Sequence, residues 1–149
     1  MPDGAQQATA GTYYFTLTLG GAEAAGYFKE CTGLSSEHTV IDHTTTDKQG
    51  KALVQKFPGQ MKWSNITLKR GIDAQNQLWA WRKKVIDGDI VGARTDGQID
   101  IIDWTGTAVV TYKFVAAWPC KYSAPGVNAA GNEILVEEIE IAHEGFERV

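Results

Sequence analysis

The residues of this chain able to do chemistry are three histidines, two cysteines and a few close-set carboxylates, and none of their arrangements completes a site. Cys31 with Asp42 and His43 supplies the residue types of a thiol nucleophile, an orienting acid and a base. Such a thiol works as its thiolate and needs an activating pocket, which nothing in the sequence implies. His38 and His43 lie five apart in a β-rich stretch, so alternation sends them to opposite faces, and His143 is remote from both. A shared metal is not expected. Asp100 with Asp103, or Glu138 with Glu140, has the composition of a general acid and base. The second pair shares a strand face, but no aromatic cradle for a sugar stands beside it. Asp87-Gly88-Asp89 lacks the further ligands of a calcium loop and reads as the end of a helix. There is no phosphate loop, dinucleotide fingerprint or serine elbow. The expectation is a protein that is not an enzyme and carries neither metal nor cofactor.

At 149 residues and 43% hydrophobic, the chain is sized for one domain with a substantial core rather than two. Five tryptophans argue against disorder. No apolar run approaches the roughly 20 residues that cross a bilayer. Met1 to Gly11 is small and polar, unlike a secretion signal, so the chain is expected to begin its life in the cytoplasm and the triplet Asn65-Ile66-Thr67 reads as a coincidental glycosylation match. Cys31 and Cys120 read as small buried hydrophobes, with a bridge the lesser alternative. Residues 1–11 are expected to be a flexible segment and 12–149 the domain.

The net charge of −4 conceals a strong segregation: Lys48 to Lys84 carries +8, with Asp73 its single acid, and the remainder carries −12. Three readings compete. Nucleic-acid binding lacks the aromatic-interleaved motif of a known reader. A solvated strand face is the plain alternative. The third is self-complementarity, in which a basic surface of one copy meets an acidic surface of the next, as in head-to-tail assemblies.

The elements that would carry these charges follow from periodicity. Thr12 to Leu19 alternates, and Ala25 to Cys31 can return as its hairpin partner. Glu37 to Thr46 is β-branched and polar. Asp47-Lys48-Gln49-Gly50-Lys51 interrupts it, and Ala52 to Phe57 is extended again before Pro58-Gly59, so an extended loop over about 46–58 is the tip of a long hairpin. Met61 to Arg70 alternates, with Ile66, Leu68 and Arg70 on one side. The segment 73–87 reads as a helix capped by Asp73 and stopped at Gly88. On its wheel, Ala74, Leu78, Trp79, Trp81, Val85 and Ile86 span an apolar arc of roughly 160°, wider than one contact requires. Arg82 sits inside that arc and must reach a carboxylate or solvent. Trp79, Trp81 and Arg82 are therefore subunit-interface candidates, the alternative being that both tryptophans lie in the core. Gly97 to Trp104 and Ala108 to Trp118 alternate, Pro119 and Pro125 delimit Cys120 to Ala124, and Glu133 to His143 finishes the sheet. The step Val136-Glu137-Glu138-Ile139 breaks alternation and predicts a bulge or a change of exposed face. The expected fold is mainly β, an antiparallel sandwich or partly closed barrel with one flanking helix.

The order of these pieces carries a resemblance. From Gly59 to Trp81, the spacing G-x-x-x-W-x-x-I-T-L-K-R-G-I-x-x-x-x-x-L-W-x-W resembles the inner-tube proteins of contractile phage tails, and still more the tube subunits of phage-tail-like contractile injection systems. It extends from Tyr13-Tyr14-Phe15 through Gly33-Leu34-Ser35-Ser36-Glu37 to Glu137-Glu138-Ile139-Glu140-Ile141, nearly the whole chain. The resemblance implies a tail-tube fold and stacked hexameric rings inside a contractile sheath, with cargo or DNA passing through the lumen. Partners implied are further copies of the chain, the sheath, the baseplate or spike, and tube-terminating proteins. It makes Lys48, Lys51 and Lys56 ring-stacking candidates. Asp100, Glu137 and Glu138 are candidates for an acidic lumen that repels nucleic acid. A tube-initiating or baseplate paralogue is the near alternative, and a monomeric ligand-binding β-barrel the distant one.

Overall fold

Period-two alternation carries most of the chain into strands, and each pairing among the described residues is antiparallel. The computed structural model describes residues 13–23, 27–71, 76–124 and 136–149. In chain order the strands are β1 (Tyr14–Leu19), β2 (Ala22–Glu23), β3 (Glu30–Thr32), β4 (Ser36–Thr46), β5 (Ala52–Trp63) and β6 (Ile66–Gly71). Two helices follow, α1 (Gln77–Ile86) and α2 (Ile90–Ala93), then β7 (Thr95–Ile102), β8 (Ala108–Ser123), β9 (Val136–Ala142) and β10 (Phe146–Arg148). The hydrogen-bonded path runs β2-β1-β7-β8-β9-β6-β3, with β10 alongside β8, while β4 and β5 form a sheet of their own. The path is not a closed barrel. Its two limbs approach through one bridge, Phe15 to Phe28.

The expected return of Ala25 to Cys31 against the first strand holds in part: Phe28 bridges Phe15, but Thr18 and Leu19 pair with β2, Glu30 to Thr32 joins the opposite limb against β6, and Ala25 and Gly26 lie outside the described residues. Met61 to Arg70 is not one strand. The chain turns at Ser64-Asn65, where Ser64 N–H donates to the Ser35 carbonyl and Gly33, at φ +90°, lies so close to the Asn65 carbonyl that any Cβ would collide with it. Pro58-Gly59 does not end the hairpin strand, nor does Pro119 end β8. Both prolines fall beside register shifts, where a lost ladder bond is already accommodated. Near the middle of β8, Ala116 takes φ +52° and the strand passes from its pairing with β7 to its pairing with β9.

Leu17, Phe28, Ile66, Leu68, Leu78, Ile99, Phe114, Ile139 and Ile141 are fully buried between the limbs and under α1. Each contributes about 1.5–3 kcal/mol of burial. The helix stops as expected: Gly88 at φ +89° donates to Val85, while Asp87 and Asp89 donate to the Lys83 and Lys84 carbonyls. The expected cap Asp73 lies outside the described residues. The connector after α1 contains α2, whose first turn is capped by the Asp89 carboxylate accepting from Gly92 N–H.

Candidate assembly interface

Among the described residues, the β4–β5 hairpin is the least buried long element. Its strands contact mainly each other, from Ser36 opposite Trp63 to Thr46 opposite Ala52. The turn at its tip is held by Asp47, whose Oδ1 accepts from Gln49 N–H and Lys51 N–H, both at 2.8 Å. Register places Ile41, Phe57 and Leu53 on one face and Val40, Pro58 and Val54 on the other. Five of these are exposed large hydrophobics, Val40 at 62% and Val54 at 59% among them. An isolated two-stranded hairpin is marginal in water, and apolar residues on both of its faces mark it for cover from outside. Of the ring-stacking candidates, Lys56 is engaged with Asp42 at 3.0 Å on an exposed face. Lys48 and Lys51 flank the tip turn and form no ion pair among the described residues.

Among the described residues, the hairpin is anchored at its base. Trp63 packs edge-on against Phe146 and His143, with ring centroids 5.0 and 6.0 Å apart. Gly145 N–H donates to His143 Nδ1 at 3.1 Å, which leaves Nε2 to donate to the Ser64 carbonyl at 2.8 Å. The bulge beside His38 lies on β5, where Gly59 and Gln60 oppose the single Thr39, so β4 keeps its alternation and His38 and His43 fall on opposite faces, as expected. Five residues of strand also separate them by about 17 Å, too far to share a metal.

Helix α1 divides its apolar arc. Leu78 and Trp81 enter the core, the Trp81 indole N–H donating to the Ala93 carbonyl at 2.7 Å. Trp81 is therefore corrected from an interface candidate to a core residue. Trp79 is 42% exposed, its ring edge-on to Tyr122 at 5.4 Å, and Ile86 is exposed beyond it. Arg82 is half-buried and leans on the Pro119 carbonyl at 3.4 Å, rather than on a carboxylate.

Among the lumen candidates Glu137 is also corrected. It alternates regularly into the buried row of β9 with Ile139 and Ile141, without a bulge, directly opposite Arg70 on β6. Arg70 Nε donates to Glu137 Oε1 at 2.6 Å, Tyr122 Oη donates to Oε2 at 2.6 Å, and the guanidinium lies 5.3 Å over the Phe28 ring. The two charges sit inside the chain, 2% and 5% exposed, where each satisfies the other. Burial, then the Glu137 bond, pushes the Tyr122 phenol up to about 12. Sequence reasoning missed Arg70 and Tyr122 as its partners. The signal was there in opposite charges, each set in an otherwise apolar row of its strand.

Asp100 and Glu138 remain half-exposed. Asp100 accepts from Thr111 Oγ1 at 2.5 Å and Gln98 Nε2 at 3.0 Å, and Glu138 lies 3.9 Å from Lys69. Neither cysteine is bonded, and they are half-buried on different strands. Burial pushes the Cys31 thiol up to about 12, the opposite of what a nucleophile needs. The Cys120 thiol is raised as well, by burial and then by Glu140. Among the described residues, no cluster of histidine, cysteine and carboxylate could hold a metal ion. No described helix is long and apolar enough to cross a membrane.

The profile of the family described as T4-like virus tail tube protein gp19 matches residues 11–147. No curated protein sequence matches. Among solved structures, the sheath-tube complex of an extracellular contractile injection system, PVC, contains a chain that superposes with a TM-score of 0.74 at 24% identity over 100% of this chain and 99% of that one. The tube-terminating cap of the anti-feeding prophage gives 0.69 at 26% identity, covering 93% and 89%. Hcp1 from Flavobacterium johnsoniae gives 0.54 at 17% identity, covering 91% and 94%.

Proposed function

Since this chain belongs to the T4-like virus tail tube protein gp19 family, a family of structural tube subunits, we propose that it is the repeating subunit of the inner tube of a contractile injection system or contractile tail. Copies close laterally into hexameric rings by pairing sheet edges, and rings stack head to tail. A contracting sheath drives the tube outward, and cargo or DNA passes through the lumen. The sheath, baseplate or spike, and tube-terminating proteins are its partners. This reading is supported by solved relatives that come from a sheath-tube complex, a tube cap and a baseplate.

One observation carries the proposal: a hairpin that stands away from the sheets, with apolar residues exposed on both faces and lysines at its tip. It is an expensive feature for a monomer and an ordinary one for a subunit whose neighbours cover it. Lys48, Lys51 and Lys56 make ring-to-ring contacts, and Trp79 with Arg82 faces a neighbour. Asp100 and Glu138 are the carboxylates left to line the lumen. The work is mechanical, with no catalysis or cofactor. The subunit assembles in the cytoplasm, ends in a virion tail or released particle, and does not itself anchor to a membrane.

Negative-stain microscopy of the purified protein tests this. Rings or tubes are expected. A strictly monomeric species at high concentration, recruited by neither sheath nor baseplate, would refute it.

A further inference from the structure

Strands that pair across a long sequence separation have no tight turn to fix their register. β6 and β9 are such a pair, with Arg70 and Glu137 lying 67 residues apart, and the link over residues 124–135 that leads from β8 into β9 is too long to index them. Hydrophobic pattern alone leaves a choice. A slip of one residue would turn the buried row outward and is excluded, whereas a slip of two keeps every face. In sequence the inward positions read Ile66, Leu68, Arg70 and Ile72 along one strand, and Leu135, Glu137, Ile139 and Ile141 along the other. Were positions 70 and 137 apolar, either two-residue slip would match apolar residues at three successive inward positions, as many as the described register does.

The charges remove that choice. Arg70 faces Glu137 in the observed register alone; a slip moves them about 7 Å apart along the strands and sets Arg70 against Leu135 or Ile139, and Glu137 against Leu68 or Ile72. At 2% and 5% exposure, each would be left buried among apolar side chains. That disfavours the slipped pairing by roughly a hundred- to a few-thousandfold. The other Glu137 oxygen accepts from Tyr122 Oη at 2.6 Å, so the same carboxylate also indexes β8. The outward row selects weakly: Lys69 lies 3.9 Å from Glu138 and 3.8 Å from Glu30 on an accessible face, where such pairs are worth little.

We propose that Arg70 and Glu137 are the register-determining pair of β6 and β9, and that this, more than stability, is their part in assembly. β6 follows β5 through the Ser64-Asn65 turn, so a copy slipped by two residues would carry its β4–β5 hairpin about 7 Å out of line. It would also offer its neighbours a shifted sheet edge. A closed ring of identical contacts accepts one subunit geometry. The consequence for tubes rests on the tube reading, whereas the register itself does not.

Disulfide trapping reads the register directly. In a Cys31→Ala, Cys120→Ala background, Thr67→Cys with Glu140→Cys places thiols at facing positions of the observed register. Thr67→Cys with Glu138→Cys, or with Ala142→Cys, places them at facing positions of the two slips. Only the first pair should close while Arg70 and Glu137 are present. Adding Arg70→Met and Glu137→Leu should keep the monomer folded, raise the yield of a slipped bridge at least tenfold, and give short or irregular tubes. A second variant moves the charge: Leu68→Arg with Arg70→Leu sets a guanidinium opposite Glu137 only after a slip, and should make the bridge between positions 67 and 138 dominant. The native bridge alone in either variant would overturn the register assignment. Unfolding of the neutral variant would overturn it too, by making the pair a requirement for stability. Slipped bridges in tubes of ordinary length would overturn the role in assembly. If the unmodified chain forms no tubes with its sheath and baseplate, the tube reading fails, and the bridges still decide the register.

Discussion

The buried Arg70–Glu137 pair offers the sharpest test of the core. Replacing Glu137 with leucine would leave a guanidinium that is 2% exposed facing the apolar row formed by Ile66, Leu68 and Phe28. Breaking a buried pair from one side costs about 3–5 kcal/mol, and stranding the Tyr122 hydroxyl that donates to Glu137 adds about 1 kcal/mol. Against a domain stability of about 5–15 kcal/mol, the loss is severe. At this chain length it corresponds to a melting temperature lower by roughly 15 °C. The double replacement Arg70→Met with Glu137→Leu removes both charges together and should recover most of the loss, because two desolvation penalties disappear with the pair. Urea unfolding of the four species, measured where the chain is monomeric so that assembly adds no stability of its own, gives the coupling directly. If Glu137→Leu costs under 1 kcal/mol, or the double variant is as unstable as the two single losses added, the assignment of this pair to the core is wrong.

Three further outcomes follow from other sites. Charge reversal at Lys48, Lys51 and Lys56 together should shorten tubes while leaving the melting temperature of the monomer within a degree or two, since all three are exposed; unchanged length distributions in micrographs would exclude a stacking role. With its thiol raised to about 12, Cys31 holds on the order of one thiolate in ten thousand at pH 8. In the folded protein it should therefore resist an aromatic disulfide reagent that reacts promptly after unfolding, and prompt labelling of the folded form would contradict its burial. Gly97→Ala should lose about 1–3 kcal/mol through overpacking against Phe114 and the Thr18 carbonyl, read as a lower urea midpoint; an unchanged midpoint would show that the ring yields.

Several elements were legible before any fold was known, and the exceptions share a cause. The β4–β5 hairpin, the strand through Ile66, Leu68 and Arg70, and the stop of α1 at Gly88 all follow from consecutive residues whose spacing or backbone freedom is local. The unusually wide apolar arc of α1 was also visible, but which tryptophan it buries was not. Trp81 is drawn inward because its indole finds the Ala93 carbonyl of α2, a helix the connector did not announce. The bulge of β5 was hidden for a similar reason: that Gly59 and Gln60 share the single partner Thr39 is defined only by the strand opposite.

The amino-acid order by itself determined where strands, turns and the long helix lie, how charge is divided along the chain, and which family pattern it follows, because each is written in residues near one another or in their simple sum. Tertiary structure alone decided which strands meet. It sent Glu30 to Thr32 to β6 rather than β1, and set Glu137 opposite Arg70 across a sequence separation of 67. It also gathered residues from β1, β5, β7, β8 and β10 around one cleft. Such pairings depend on the loop closures and shared burial of the whole chain, so a carboxylate that its charge alone would expose becomes a core residue once a guanidinium arrives to neutralise it.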